Sequence, residues 1–368
     1  MVLSLELSCV NLIRANMRNL LLFLVLLVPS VMAAKAGIPV KVVVVALFER
    51  GADTGDAPGE YQYWVERNHL DKVMPFPQGY HDLRLNKEGV LGVLAGVGTA
   101  RAASTIEALA LDPRFDLSKA YWLVAGIAGV DPQDASLASA AWAEWVVDGD
   151  LAYEIDGREI PANWKTGYVP LRKSAPYETP RTAADAGEIY HLNPQLVNWA
   201  FHLTEHVALT DSPAMQAERL LYEEPNAKRP PFVLKGDDLS ASTFWHGRLM
   251  SNWANDWVKY HSDGRANYVM TAMEDTGILQ ALTFAGRAGK VDLARVLILR
   301  AASDYDQPQP GMTAAESLAK NTKGGYTGFM PALESAWRVG NTVVSELVAK
   351  WRVYRDRIPG VLDAPAAH

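Results

Sequence analysis

Three short stretches hold residue types that can do chemistry. In LRAASDYDQPQPG (299–311), Ser303, Asp304 and Asp306 follow the apolar run VDLARVLI (291–298) and precede a Gln- and Pro-rich loop. In AMEDTGI (272–278), Met273 and Glu274 close a strand-like run, and Asp275 and Thr276 open a helical pattern. In KGDDLSASTFWHG (235–247), Asp237 and several hydroxyl residues stand beside Phe244 and Trp245. Each stretch has an ordinary structural reading. Asp and Ser form turns that end strands, and Asp275 or Thr276 can cap a helix. Capping does not need Glu274 as well, however, and a carboxylate at a strand end is a good acceptor for two neighbouring hydroxyls. Open α/β sheets bind ligands at the carboxyl ends of their strands. The third stretch has the make-up of a small-molecule pocket, an aromatic wall beside polar anchors.

Two further motifs carry weaker signals. GVGTAR (96–101) puts Gly96, Gly98 and Thr99 between a strand and a helix, where backbone N–H groups attract anions and hydroxyls. It lacks the full glycine spacing and downstream acid of a dinucleotide site. HLTEH (202–206) matches the H-x-x-E-H zinc pattern. It lies on an amphipathic helix whose polar face would carry His202, Glu205 and His206 in any case, so no metal site is expected.

The elements that must position these residues follow from the hydrophobic pattern. IPVKVVVVALF (38–48) is a β-branched run of the kind buried on both faces in parallel sheets. Residues 89–111 repeat the pattern and continue with helical periodicity, 120–132 form a third strand, and 140–150 a fourth. The segment from about 160 to 230 is richer in Pro, Asn and Glu and contains one helix, NPQLVNWAFHLTEHV (193–207), with Asn193 at the N-cap. The last element, MPALESAWRVGNTVVSELVAKWRVYRDRI, reads as two helices. The expectation is one three-layer α/β/α domain over 37–368 with a mixed, largely parallel central sheet, the 160–230 segment being an elaboration of it.

Composition narrows the function. The chain has 368 residues, is 49% hydrophobic and 21% charged, and has a net charge of −7 without a basic stripe, which argues against a nucleic-acid surface. Residues 1–36 read as a signal-peptide region. The stretch MRNLLLFLVLLVPSVMAAKAG has a basic start, a short apolar run and small residues, with Met17 as an alternative start. The protein is therefore expected to be exported, periplasmic or membrane-associated. Its only cysteine, Cys9, precedes the cleavage region, so thiolate chemistry and disulfides are excluded from the mature chain.

Taken in order, the strand endings F-E-R-G, G-V-G-T and G-I-A-G, then G-D-D, A-M-E-D-T-G and R-A-A-S-D, resemble the nucleoside phosphorylase and nucleosidase fold. More closely, the region from Ile38 to Ile358 resembles the purine nucleoside permease family. The resemblance implies a purine nucleoside ligand. Asp304 would engage N7 of the base, with Ser303 beside it. Glu274 would hold the ribose, with Met273 under the sugar. Gly98 and Thr99 would lie on the nucleophile's side of C1′, and Glu49 would be the acid near the attacking water. It also implies cleavage of the N-glycosidic bond by water or phosphate, or alternatively nucleoside binding for uptake through a membrane transporter partner. Assembly as a homo-oligomer is a further implication. No cofactor is expected beyond phosphate as a co-substrate. A zinc hydrolase built on HLTEH is the remote alternative.

Overall fold

β-Branched runs dictate the sheet. The computed structural model describes residues 37–179, 181 and 187–360; the predicted signal segment lies outside them. Strand β1 (Val42–Ala46) and strand β2 (Val90–Leu94) are buried along their whole length. Strands without an exposed side chain require cover on both faces. The central strands that follow are β3 (Tyr121–Val130), β4 (Ala140–Ala143), β5 (Trp145–Asp148), β6 (Asp237–Ser240), β7 (Tyr268–Ala272) and β8 (Val296–Tyr305). With short edge strands they make one twelve-stranded sheet. The helices that matter for the site are α1 (Gln62–Arg67), α2 (Thr99–Ala110), α3 (Pro194–Thr204), α4 (Arg248–His261), α5 (Asp275–Arg287) and α6 (Phe329–Ala349). The α6 helix packs on β8 and β3 with α1 and α3 beside it, whereas α2 and α5 pack on each other. The result is the expected α/β/α arrangement.

The sheet is mixed. β1 runs parallel to β2 and β3, and β8 runs parallel to β3, but β7 is antiparallel to β3 and β8 is antiparallel to β4. The two longest strands, β3 and β8, pair from Trp122 and Val296 to Val130 and Tyr305, with a register shift between Ala302 and Asp304. Ser303 is the extra residue of that bulge. Bulges bend a strand and re-aim its side chains, and they recur beside functional sites.

Three boundaries differ from the sequence reading. The strand expected at 291–298 begins only at Val296, after a 3₁₀ turn over Leu293–Arg295, and runs through Asp304 to Tyr305. Asp304 therefore lies inside a strand and not beyond its end. The expected fourth strand divides at Glu144 into β4 and β5, which pair with different partners. The C-terminal pair of helices is one 21-residue helix, α6, followed by a single turn at Trp351–Tyr354. Gly340 does not break α6 because it is a contact point: a Cβ there would come within 3.0 Å of the Trp64 ring.

The α2–α5 contact is also set by a glycine. A Cβ on Gly277 would sit 2.3 Å from the carbonyl oxygen of Thr99. Gly277→Ala is expected to cost about 1–3 kcal/mol in urea unfolding, the usual range for overpacking. Gly157→Ala, where a Cβ would meet nothing within 4 Å, is expected to stay within about 0.5 kcal/mol of the parent.

Candidate active site

A cavity of about 240 Å³ opens where β1, β3, β7 and β8 end, and three carboxyl groups line it: Glu60, Glu274 and Asp304. Larger depressions exist, including one of about 630 Å³ lined by Lys165, Tyr177, Asn252 and Trp253. None of the residues singled out in the sequence lines that larger space.

Asp304 reaches the cavity because of the bulge. Strict alternation would send Ser303 and Asp304 to opposite faces of the sheet, yet both line the cavity. Ser303 Oγ donates to Asp304 Oδ1 at 2.6 Å and to the Ala128 carbonyl at 3.1 Å. Asp304 Oδ2 is buried and has no protein partner, a deficit of about 1–3 kcal/mol that a ligand donor or acceptor can remove. Burial pushes the Asp304 carboxyl up to about 7, with the Ser303 hydroxyl opposing the shift. A carboxylic acid with that affinity for its proton can donate it near neutral pH.

Glu274 leaves β7 at the first position before α5. Its Oε1 accepts from the Gly98 N–H at 3.3 Å, and its Oε2 accepts from Arg300 Nη2 at 3.2 Å and from the Met273 N–H at 3.3 Å. Burial raises its proton affinity and the Arg300 charge opposes that rise. The capping alternative is not realised. The Asp275 carboxylate pairs with Arg300 through Nε at 3.0 Å and through Nη2, and the Thr276 N–H goes to Ser240 Oγ at 3.2 Å.

Two residues given no role in the sequence analysis complete the site. Arg300, in the middle of β8 and 2% exposed, binds both acids at the start of α5 and donates Nη1 to the Ile127 carbonyl at 3.3 Å. Glu60 precedes α1 and sends its carboxylate back under β1 and β3. Its oxygens accept from the Leu47 N–H at 2.8 Å and the Ile127 N–H at 2.7 Å. Burial pushes Glu60 up to about 8, the Arg300 charge works against the shift, and Glu274 adds to it. Gly126 makes room for the pair, since a Cβ there would lie 2.6 Å from both Arg300 Nη1 and Glu60 Oε1. A lone arginine inside an otherwise apolar strand is a readable signal. Glu60 had none, because the ERGADTGDAPGE loop separates it from the end of β1.

The remaining sequence-nominated residues divide. Met273, Ser303 and Phe244 line the cavity. Phe244 lies 6.5 Å from Tyr326, and Phe48 lies 6.1 Å from Phe329, so four rings frame the opening. Burial and the Asp304 charge push the Tyr326 phenol up to about 12. Gly98 meets the site only through its N–H to Glu274. Thr99 faces a separate depression with Asp148 and Asp150, and its hydroxyl pairs with Ser242 Oγ at 2.5 Å.

Three further expectations, besides that for Thr99, are corrected. Glu49 is outside the cavity because its carboxylate is consumed by backbone donors of Arg50, Gly59, Tyr61 and Gln62 at the start of α1; Glu60 is the acid beside β1. Asp237 is structural and accepts from the N–H groups of Glu144, Trp145 and Asn267. Trp245 is buried against Trp253 and Tyr268, away from the cavity. As for HLTEH, His202 is exposed and paired with Glu205 at 3.2 Å, and His206 lies beyond the end of α3.

The fold and cavity thus define an α/β protein with a cavity walled by buried carboxyl groups. Comparison with known proteins makes this more specific. The purine nucleoside permease (NUP) family matches residues 39–359, and the chain belongs to that family. A probable purine nucleoside permease of Schizosaccharomyces pombe is 31% identical over 272 residues, covering 72% of this chain and 77% of that protein. A purine nucleoside permease of Candida albicans is 30% identical over 268 residues, covering 72% of this chain and 65% of its own length. Among solved structures, a 5′-methylthioadenosine/S-adenosylhomocysteine nucleosidase of Streptococcus pneumoniae aligns with TM-score 0.49 and 15% identity, covering 84% of this chain and 99% of that one. The Helicobacter pylori nucleosidase aligns with TM-score 0.49 and 12% identity, covering 83% and 98%.

The burial of Glu60 has a stability signature. Between the ordinary carboxyl value of 4.5 and about 8, the unfolded chain releases a proton that the folded chain keeps, so the contribution of Glu60 is lost as pH rises through that window. The Tm difference between Glu60→Gln and the parent is expected to move in favour of the variant across this range. A pH-independent difference would contradict the burial.

Proposed function

We propose that the protein binds a purine nucleoside in this cavity and cleaves its N-glycosidic bond. The observation that carries the reading is that Asp304 and Glu274 open into one cavity, Asp304 with a carboxyl that retains its proton near neutrality. As the bond from C1′ to the base breaks, negative charge collects on the purine and oxocarbenium-like charge on the sugar. Asp304 gives its proton to N7 of the departing base. Glu274, held by Arg300 and the Gly98 N–H, accepts from the ribose hydroxyls and offsets the positive sugar. Glu60 takes the role first assigned to Glu49, as the base on the side of the attacking group. Met273 and the four rings supply apolar contact.

A second reading follows from the names of the relatives, which are called permeases. Here the cavity only binds nucleoside for uptake. No helix among the described residues is long and apolar enough to cross a membrane, so uptake would require a membrane partner. Release of free base from a panel of purine nucleosides separates the two readings, because binding without turnover favours the second.

Asp304→Asn is expected to lower kcat by about a hundredfold to ten-thousandfold, the span of general acid catalysis, while the thermal transition is retained. Glu274→Gln is expected to raise the nucleoside Kd by about ten- to a hundredfold, since hydrogen bonds to charged groups are worth about 1.5–3 kcal/mol. Activity requires Asp304 protonated and Glu60 ionised. The rate should therefore rise with pH as Glu60 loses its proton and fall as Asp304 loses its own, giving a bell with its maximum between about 7 and about 8. A rate still climbing at more alkaline pH would remove Asp304 as the acid.

A further inference from the structure

Resting on the cleavage reading above, we propose that the site works only with uncharged reactants: water attacks C1′, and neither inorganic phosphate nor a 5′-phosphorylated nucleoside is accepted. The first argument is the charge of the walls. Three carboxyl groups enter the cavity, and among the described residues none of the lining side chains is a lysine, arginine or histidine. The guanidinium behind the wall is already engaged, since Arg300 donates through Nε, Nη1 and Nη2 to Asp275, Ile127 and Glu274. Arg50 and Arg101 are exposed and neither lines the cavity; the Arg50 guanidinium lies at the rim, 5.3 Å from the Phe329 ring centroid.

The second argument concerns the backbone. Phosphate is commonly held by the free N–H groups of glycine turns and helix starts. Here the protein's own oxygens occupy four of the donors nearest the carboxyl groups. The Gly98 N–H goes to Glu274 and the Thr99 N–H to Ser242 Oγ, while the Leu47 and Ile127 N–H groups go to Glu60. A phosphate dianion would find no lysine, arginine or histidine on the walls and would meet Glu274, already bound to Arg300, where it needs a donor. Water has the opposite preference. Each Glu60 oxygen accepts one N–H and keeps acceptor capacity for a water O–H.

The step balances with water alone. The C1′–N9 bond breaks and its electron pair stays with the base, which takes the Asp304 proton at N7. The water oxygen bonds to C1′ and its proton passes to Glu60. The products are free purine and free ribose, and exchange with solvent returns a proton to Asp304 and removes one from Glu60.

The test incubates the full chain with inosine, adenosine and guanosine in phosphate-free buffer and in buffer with inorganic phosphate, and identifies the sugar product. The expected result is free ribose at a rate unaffected by phosphate, with ¹⁸O from labelled water at C1′. Inosine 5′-monophosphate is expected to compete with labelled inosine at least about a hundredfold more weakly than unlabelled inosine does, since like-charge juxtaposition costs several kcal/mol. Ribose 1-phosphate, stimulation by phosphate, or equal competition by the monophosphate would overturn this inference and leave the cleavage reading standing. No base release in either buffer would overturn cleavage by water together with the reading it rests on, and the competition arm would still report charge exclusion.

Discussion

A guanidinium buried in the middle of a strand constrains everything around it. Removing a charge from water costs several kcal/mol, and the cost is met only when partners of opposite charge and good geometry surround the group. Arg300 finds them on two other elements: Asp275 and Glu274 at the start of α5, and the Ile127 carbonyl on β3. The ion cluster therefore ties the ends of β3, β7 and β8 into one arrangement. It also fixes residue choice nearby, since a side chain at position 126 would collide with both Arg300 and Glu60.

The same cluster sets the protonation pattern. One cation stands among four carboxyl groups, Glu60, Glu274, Asp275 and the buried Asp238. Asp275 lies on the guanidinium in two-point contact and Glu274 shares it. Glu60, which receives backbone N–H groups and not the guanidinium, keeps its proton up to about 8. Asp304 stands apart from the cluster, with one hydroxyl partner and one free oxygen. Burial therefore dominates its behaviour. Asp306, two residues on, has a different fate: it bonds the Tyr268 hydroxyl at 2.8 Å, and burial with the nearby Asp131 charge drives its proton affinity well up, away from the cavity. Asp304 thus serves the cavity and Asp306 the core.

Glycine turns at strand ends are often read as ligand cradles, and the G-V-G turn shows why geometry must decide. Gly96 and Gly98 both adopt positive φ, as a tight strand-to-helix turn requires. The N–H released by that turn supports a carboxylate of the same chain, so the turn serves the site through Glu274 and leaves Thr99 outside. In the same way Glu49 sits beside the right strand end, yet satisfies the first N–H groups of α1, which would otherwise lack partners.

Much of the architecture was legible in the residues alone. The β-branched runs announced strands buried on both faces, and strand-to-helix switches at residues 90–110 and 268–287 announced crossovers, because both depend on local periodicity. The same holds for Glu274 and Met273, which stand at such a switch, and for Ser303 and Asp304, which end an apolar run before a Gln- and Pro-rich loop. What the residues could not announce is which side chains share a space. Glu60 joins the site across a loop, Arg300 across a sheet, and Tyr326 and Phe329 from the far end of the chain, while Glu49, Asp237 and Trp245 turn away into backbone or core. Local sequence determines which atoms are available. Only the packed structure decides which of them lose water together, and burial of that kind raises a carboxyl's proton affinity and makes it fit for chemistry.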